Sequence, residues 1–139
     1  MRIIGENVKH EMVIADTISG EHLSLFYRTP STEERQKYMS AMFKRVGDEI
    51  QDHSFETRIK WGKKILTGIG EDQFAFQVEG ENQTISSNPE NKNYRADWKD
   101  LMEQYLSDLL WFLAFRVFEG SAQITPVSMR GDEAYDSKN

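Results

Sequence analysis

The chain has 139 residues, with 17 Lys and Arg against 23 Asp and Glu, no Cys and 38% apolar residues, the composition of one ordinary globular domain. Without cysteine there is no thiol catalysis, disulfide or Cys-ligated zinc, and a net charge of −6 argues against general affinity for nucleic acid or anionic lipid. Met1 to Asn7 lacks the apolar core of a signal peptide, and no run approaches the ~18 apolar residues of a membrane span, so a cytoplasmic protein with no membrane contact is expected.

In chain order, Glu11 to Ile18 and Glu21 to Tyr27 are rich in Val, Ile, Leu, Phe and Tyr and are joined through Ser19-Gly20, which predicts a β-hairpin. A tight turn there sets Met12 opposite Tyr27 and Ile14 opposite Leu25, with Val13 and Phe26 on the other face. Two strands with partly apolar faces are not stable alone, so the hairpin must pack on helices, gain a strand or meet another subunit. At Ser31-Thr32-Glu33-Glu34 a capping box opens a helix, and Tyr38, Met39, Met42, Phe43, Val46 and Ile50 carry its apolar stripe to about Gln51. A second helix is predicted from Phe55 to Ile69, with Ile59, Gly62 and Leu66 on one line, Trp61 and Ile65 beside it, and Gly68 and Gly70 stopping it.

Phe74, Phe76 and Val78 alternate as in a short strand, and the polar stretch from Gly80 to Asn93 reads as a loop. The last predicted helix, Tyr94 to Phe118, is the longest. Trp98, Met102, Tyr105, Leu109 and Phe112 form a heptad-like seam that Leu110 and Leu113 widen, so this helix is the expected partner-binding surface. Charge introduced at Leu110 or Phe112 is expected to abolish binding. The fold expectation is therefore α+β and helix-dominated: an N-terminal β-hairpin, an αα-hairpin and a long C-terminal helix in one domain, 1–120, followed by a flexible tail, 121–139.

No catalytic constellation is legible. His10, His22 and His53 do not stand at a metal-ligand spacing, no serine sits in a nucleophile elbow, and Gly68 and Gly70 close a helix where a dinucleotide loop would open one. No metal, no cofactor and no enzymatic activity are expected. Arg58, Lys60, Lys63 and Lys64 with Trp61 between them are the one basic cluster, and they carry the alternative of nucleic-acid binding. Helical spacing turns Trp61 inward with Ile65 and leaves the lysines on an outer arc, as on any solvated face.

The blocks Phe26-Tyr27-Arg28-Thr29-Pro30-Ser31-Thr32-Glu33-Glu34-Arg35 and Arg58-Ile59-Lys60-Trp61-Gly62-Lys63-Lys64-Ile65-Leu66-Thr67-Gly68-Ile69, with a looser likeness over Trp98 to Phe118, resemble the tail assembly chaperones of tailed phages and prophages. The resemblance implies a non-enzymatic, mainly helical protein that coats a long tape-measure protein before the tail tube forms, with the tube protein as a further contact. It supplies no catalytic residues. Three Trp, eight Phe, five Tyr and six Met suit a protein that presents adaptable apolar surface to a client, and they suit a simple homo-oligomer equally.

Overall fold

The computed structural model describes residues 1–120 together with Ile124, Pro126 and Val127, so the tail expected over 121–139 lies otherwise outside the described residues. The first hairpin forms from β1 (His10–Ala15) and β2 (His22–Tyr27). Its register differs from expectation by two residues: Met12 lies opposite Leu25 and Ile14 opposite Leu23. The cause is Asp16, whose carboxylate accepts from the Ile18 and Ser19 amides and the Ser19 hydroxyl, rounding Thr17 to Gly20 into a longer loop. A slip by two preserves the face, so Met12 and Ile14 still point toward the core.

Helix α1 (Thr32–Ala41) opens as its sequence predicts. Ser31 Oγ accepts from the Glu34 amide at 3.1 Å, and the Glu34 carboxylate accepts from the Ser31 amide at 2.9 Å. Arg28 adds a two-pronged contact to the same carboxylate, 2.8 Å on each arm. The Arg28 guanidinium holds the Glu34 carboxyl at about 2, against an ordinary 4.5. A carboxylate depressed on folding stabilises fully above pH ~4.5, and that contribution disappears as pH falls toward 2. The unfolding free energy read from urea titrations is therefore expected to drop across this window by on the order of 1–2 kcal/mol, less than the full shift because both groups keep contact with water. Glu34→Gln should be less stable at neutral pH and show a flatter acid limb, and an unchanged limb would remove the pair as its cause.

The expected helix to Gln51 is corrected. Helix α1 ends at Ala41, and a second hairpin follows, β3 (Phe43–Val46) and β4 (Glu49–Asp52), paired from Phe43 with Asp52 to Val46 with Glu49. Gly47, at φ +64°, takes the first central position of its two-residue turn, where a type II′ hairpin favours glycine. The same glycine inside a helix would cost about 1 kcal/mol relative to Ala. The apolar stripe of α1 accordingly stops at the buried Tyr38 and Met42.

Helix α2 (Ser54–Ile65) ends four residues earlier than predicted, because Leu66–Ile69 form β5 and pair antiparallel with β2. The strand order is β1-β2-β5, which supplies the extra strand that the first hairpin needs. A third hairpin, β6 (Ala75–Val78) and β7 (Glu81–Thr84), turns at Glu79-Gly80 and occupies part of the expected loop. The long C-terminal helix is also corrected. Its backbone breaks at Leu106 (φ −128°, ψ 40°), giving α3 (Trp98–Tyr105) and α4 (Ser107–Ala114), and α4 runs into a π-helical turn over Phe115–Glu119.

With 35% helix, 28% strand and three small sheets among the described residues, the fold is mixed α/β and is not helix-dominated. The main core joins Leu25 and Tyr27 of β2, Ile65 and Leu66, Trp98 and Met102 of α3, and Leu110 and Leu113 of α4. A smaller, separate cluster holds Tyr38, Met42, Trp61 and Ala114, with Phe118 stacked on Tyr38 at 4.1 Å between ring centroids. Helices α2 and α4 meet at Gly62, which faces the Leu110 backbone directly.

Candidate interaction surfaces

The expected partner-binding residues divide. Trp98, Met102, Leu110 and Leu113 are buried in this chain's own core, Leu110 and Leu113 at 0% exposure, because α3 and α4 pack with α2 and share one core with Leu25 and Tyr27 of β2. Charge at Leu110 would therefore disrupt the core before it could report on binding. Tyr105 is exposed beside the Phe76 ring, Leu109 is partly buried, and Phe112 is 39% exposed.

The basic cluster is largely engaged within the chain. Arg58 grips Glu119 through Nε (2.7 Å) and a terminal nitrogen (2.9 Å) and lies over the Trp111 ring at 4.9 Å. Lys63 donates to Asp100 at 2.8 Å and Glu103 at 2.9 Å, while Lys64 lies 4.6 Å above the Trp61 ring centroid. Lys60 is exposed. A phosphate backbone would have to draw Arg58 and Lys63 away from carboxylates already at hydrogen-bond distance. The hold of Glu119 on Arg58 pushes the guanidinium pKa further up, and Arg58 holds the Glu119 carboxyl below its usual range. Burial, followed by the Glu119 carboxylate, pushes the Tyr38 phenol well up. The sequence gives no local sign of this triad, since its members come from α1, α2 and the π-helical turn.

Two surfaces remain open. The first is a groove of about 620 Å³ between β1 and α4, walled by Met12, Ile14, Leu109 and Phe112, with Asp108 and Arg116 at its sides. Among the described residues no strand pairs with the outer edge of β1. The Asp16 amide donates to the Glu21 carbonyl at 2.9 Å, so alternation along an antiparallel ladder turns Ile14, Met12 and His10 toward β2. Glu11, Val13 and Ala15 consequently aim their backbone N–H and C=O groups at the open side. The pattern in β2 agrees, since the Ser24 carbonyl accepts from Gly70 on the β5 side.

The second surface is the β3–β4 hairpin, an arm whose residues are all exposed. Phe43 (58%) and Ile50 (64%) are diagonal neighbours on one of its faces, and Val46 lies on the other. Met39 at the end of α1 and Phe55 at the start of α2 are exposed close to its base in sequence. The arm is anchored by the His53 amide donating to the Met42 carbonyl at 2.8 Å, and by Thr57 Oγ1 donating to the Ala41 carbonyl at 3.1 Å. Beneath Phe43 a broad depression of about 730 Å³ is lined by Trp61, Lys60, Glu56 and His53. The sequence conceals the arm because its residues also satisfy a helical stripe, although Gly47-Asp48 between two short runs is a hairpin signal.

His10 lies 3.0 Å from Thr29 Oγ1 and tilts on Tyr27, and His53 contacts Glu56 and Gln51. Among the described residues no three His, Cys, Asp or Glu side chains gather as metal ligands, and no helix is long and apolar enough to cross a membrane. Neither a family model, nor a curated protein, nor a solved structure matches the chain.

Proposed function

We propose that the chain is a non-enzymatic tail assembly chaperone of a phage or prophage, acting in the cytoplasm of the bacterial host on a long tape-measure-type client or the tail tube protein. The observation that carries the reading is the arm: Phe43, Val46 and Ile50 stand in water on a two-stranded ribbon, where an interaction protein gains from apolar side chains and a self-sufficient domain does not. A long apolar client segment laid on Phe43 and Ile50 would bury both side chains, each worth roughly 1.5–3 kcal/mol when fully covered. Leu110 and Leu113 of the last helix are buried in the chain's own core, so in this reading the client contact is assigned to the arm.

The blocks that carry the resemblance build the scaffold. Arg28 and Glu34 fix the start of α1, Gly62 and Trp61 pack α2, and Leu66–Ile69 complete the sheet. Affinity capture with the tagged full chain, from cells expressing the tail genes of its phage, is expected to enrich a very long helical protein. Phe43→Asp with Ile50→Asp should cut that recovery at least about tenfold with an unchanged circular dichroism spectrum, the loss expected for about 1.4 kcal/mol or more of contact. Equal recovery by the double variant would remove the arm as the client site, and capture of nucleic acid alone would replace the reading.

A further inference from the structure

We propose that the outer edge of β1 pairs with the same edge of a second copy, so that two three-stranded sheets join into one of six strands about a two-fold axis. This goes beyond the client reading and uses a different surface. The open edge offers the backbone groups of Glu11, Val13 and Ala15, and one register pairs all three. With Val13 opposite Val13 of the second copy, Glu11 lies opposite Ala15 and Ala15 opposite Glu11, so each outward N–H and C=O meets a partner. Shifting that antiparallel register by two toward the N-terminus puts Glu11 nearer its copy, and a shift by four sets the two carboxylates face to face.

The groove is complementary to itself under the same axis. A two-fold perpendicular to the sheet makes α4 antiparallel to its copy. Asp108, Phe112 and Arg116 follow at intervals of four along the wall that faces the groove. Reversal about Phe112 therefore sets Asp108 of each copy toward Arg116 of the other, with the two Phe112 rings between them. Among the described residues neither Asp108 nor Arg116 forms an ion pair within its own chain. Met12 lies opposite Ile14 of the second copy beneath these rings, which continues the apolar inner face across the junction. The occupant that fits edge, apolar wall and charge order together is a second copy of this chain.

Sedimentation equilibrium of the full chain should return twice the 16.2 kDa chain mass. Val13→Pro removes an amide that points out of the monomer, so the variant should keep its circular dichroism and sediment as a monomer. Val13→Lys is expected to do the same through edge charge, and covers the case in which proline disturbs the strand. Asp108→Lys should weaken the dimer at least about tenfold, and D108K/R116E should restore it. A monomer up to about 100 μM, a dimer that survives both Val13 variants, or a charge swap without rescue would overturn the proposal, as would an edge occupied by a client strand. Loss of the dimer with client capture intact separates this surface from the arm.

Discussion

Gly62→Ala is expected to destabilise the protein by about 3 kcal/mol or more, lowering the thermal midpoint on the order of 10 °C. A methyl group at this position would overlap the Leu110 carbonyl oxygen and lie 2.7 Å from its carbon, both backbone atoms of α4. No rotamer change relieves a backbone contact, so α2 and α4 would have to separate. Leu110, Leu113 and Ile65 are packed at 0% exposure around that crossing, so separation opens the main core. In an exposed helix the same change would stabilise by nearly 1 kcal/mol through helix propensity, so the sign of the effect tests the crossing itself. A neutral or raised midpoint for Gly62→Ala would show that the two helices do not meet there.

Glu119→Ala should cost about 3 kcal/mol, because it leaves Arg58 without its carboxylate and the Tyr38 hydroxyl without its acceptor. The Arg58 and Glu119 side chains are 17% and 19% exposed, so water replaces the lost contacts only in part. The loss should extend beyond the pair. Glu119 ends the π-helical turn, and that turn places Phe118 on Tyr38 and Val117 against the core. Glu119→Gln, which keeps an acceptor but loses the charge, is expected to fall between the wild type and Glu119→Ala in denaturant midpoint. A double variant with Arg58→Ala should be less damaging than the sum of the single changes, since the stranded charge is removed. Strict additivity would mean that the two residues do not act as a pair.

The uneven legibility of the candidate surfaces has the same physical origin as these effects. Phe112 belongs to a sequence pattern in which Leu110, Leu113 and Met102 look equally available, and only their neighbours from β2, α2 and β5 decide which are covered. The open edge of β1 could be anticipated as a hairpin in need of company. That β5 would satisfy one side and leave the other free depended on Leu66–Ile69, a stretch that reads as the end of a helix until the Gly70 amide is seen donating to Ser24 of β2 and the Ile65 carbonyl accepting from Arg28 just past it. The basic residues show the converse case: Lys63 and Arg58 look free in sequence, and distant carboxylates at Asp100, Glu103 and Glu119 occupy them.

What the sequence determined by itself is local. The capping box at Ser31 and Glu34, the inward face shared by Met12 and Ile14, and the burial of Trp61 with Ile65 follow from hydrogen-bonding groups three residues apart and from side-chain periods of 2 and 3.6. The tertiary structure alone decided where α1 gives way to the arm, how Leu66–Ile69 become a strand, where the last helix breaks and which apolar side chains stay in water. Each of those outcomes compares two local conformations of similar free energy, and the difference comes from groups far away in the chain, such as β2 presenting an unpaired edge or Leu110 approaching Gly62.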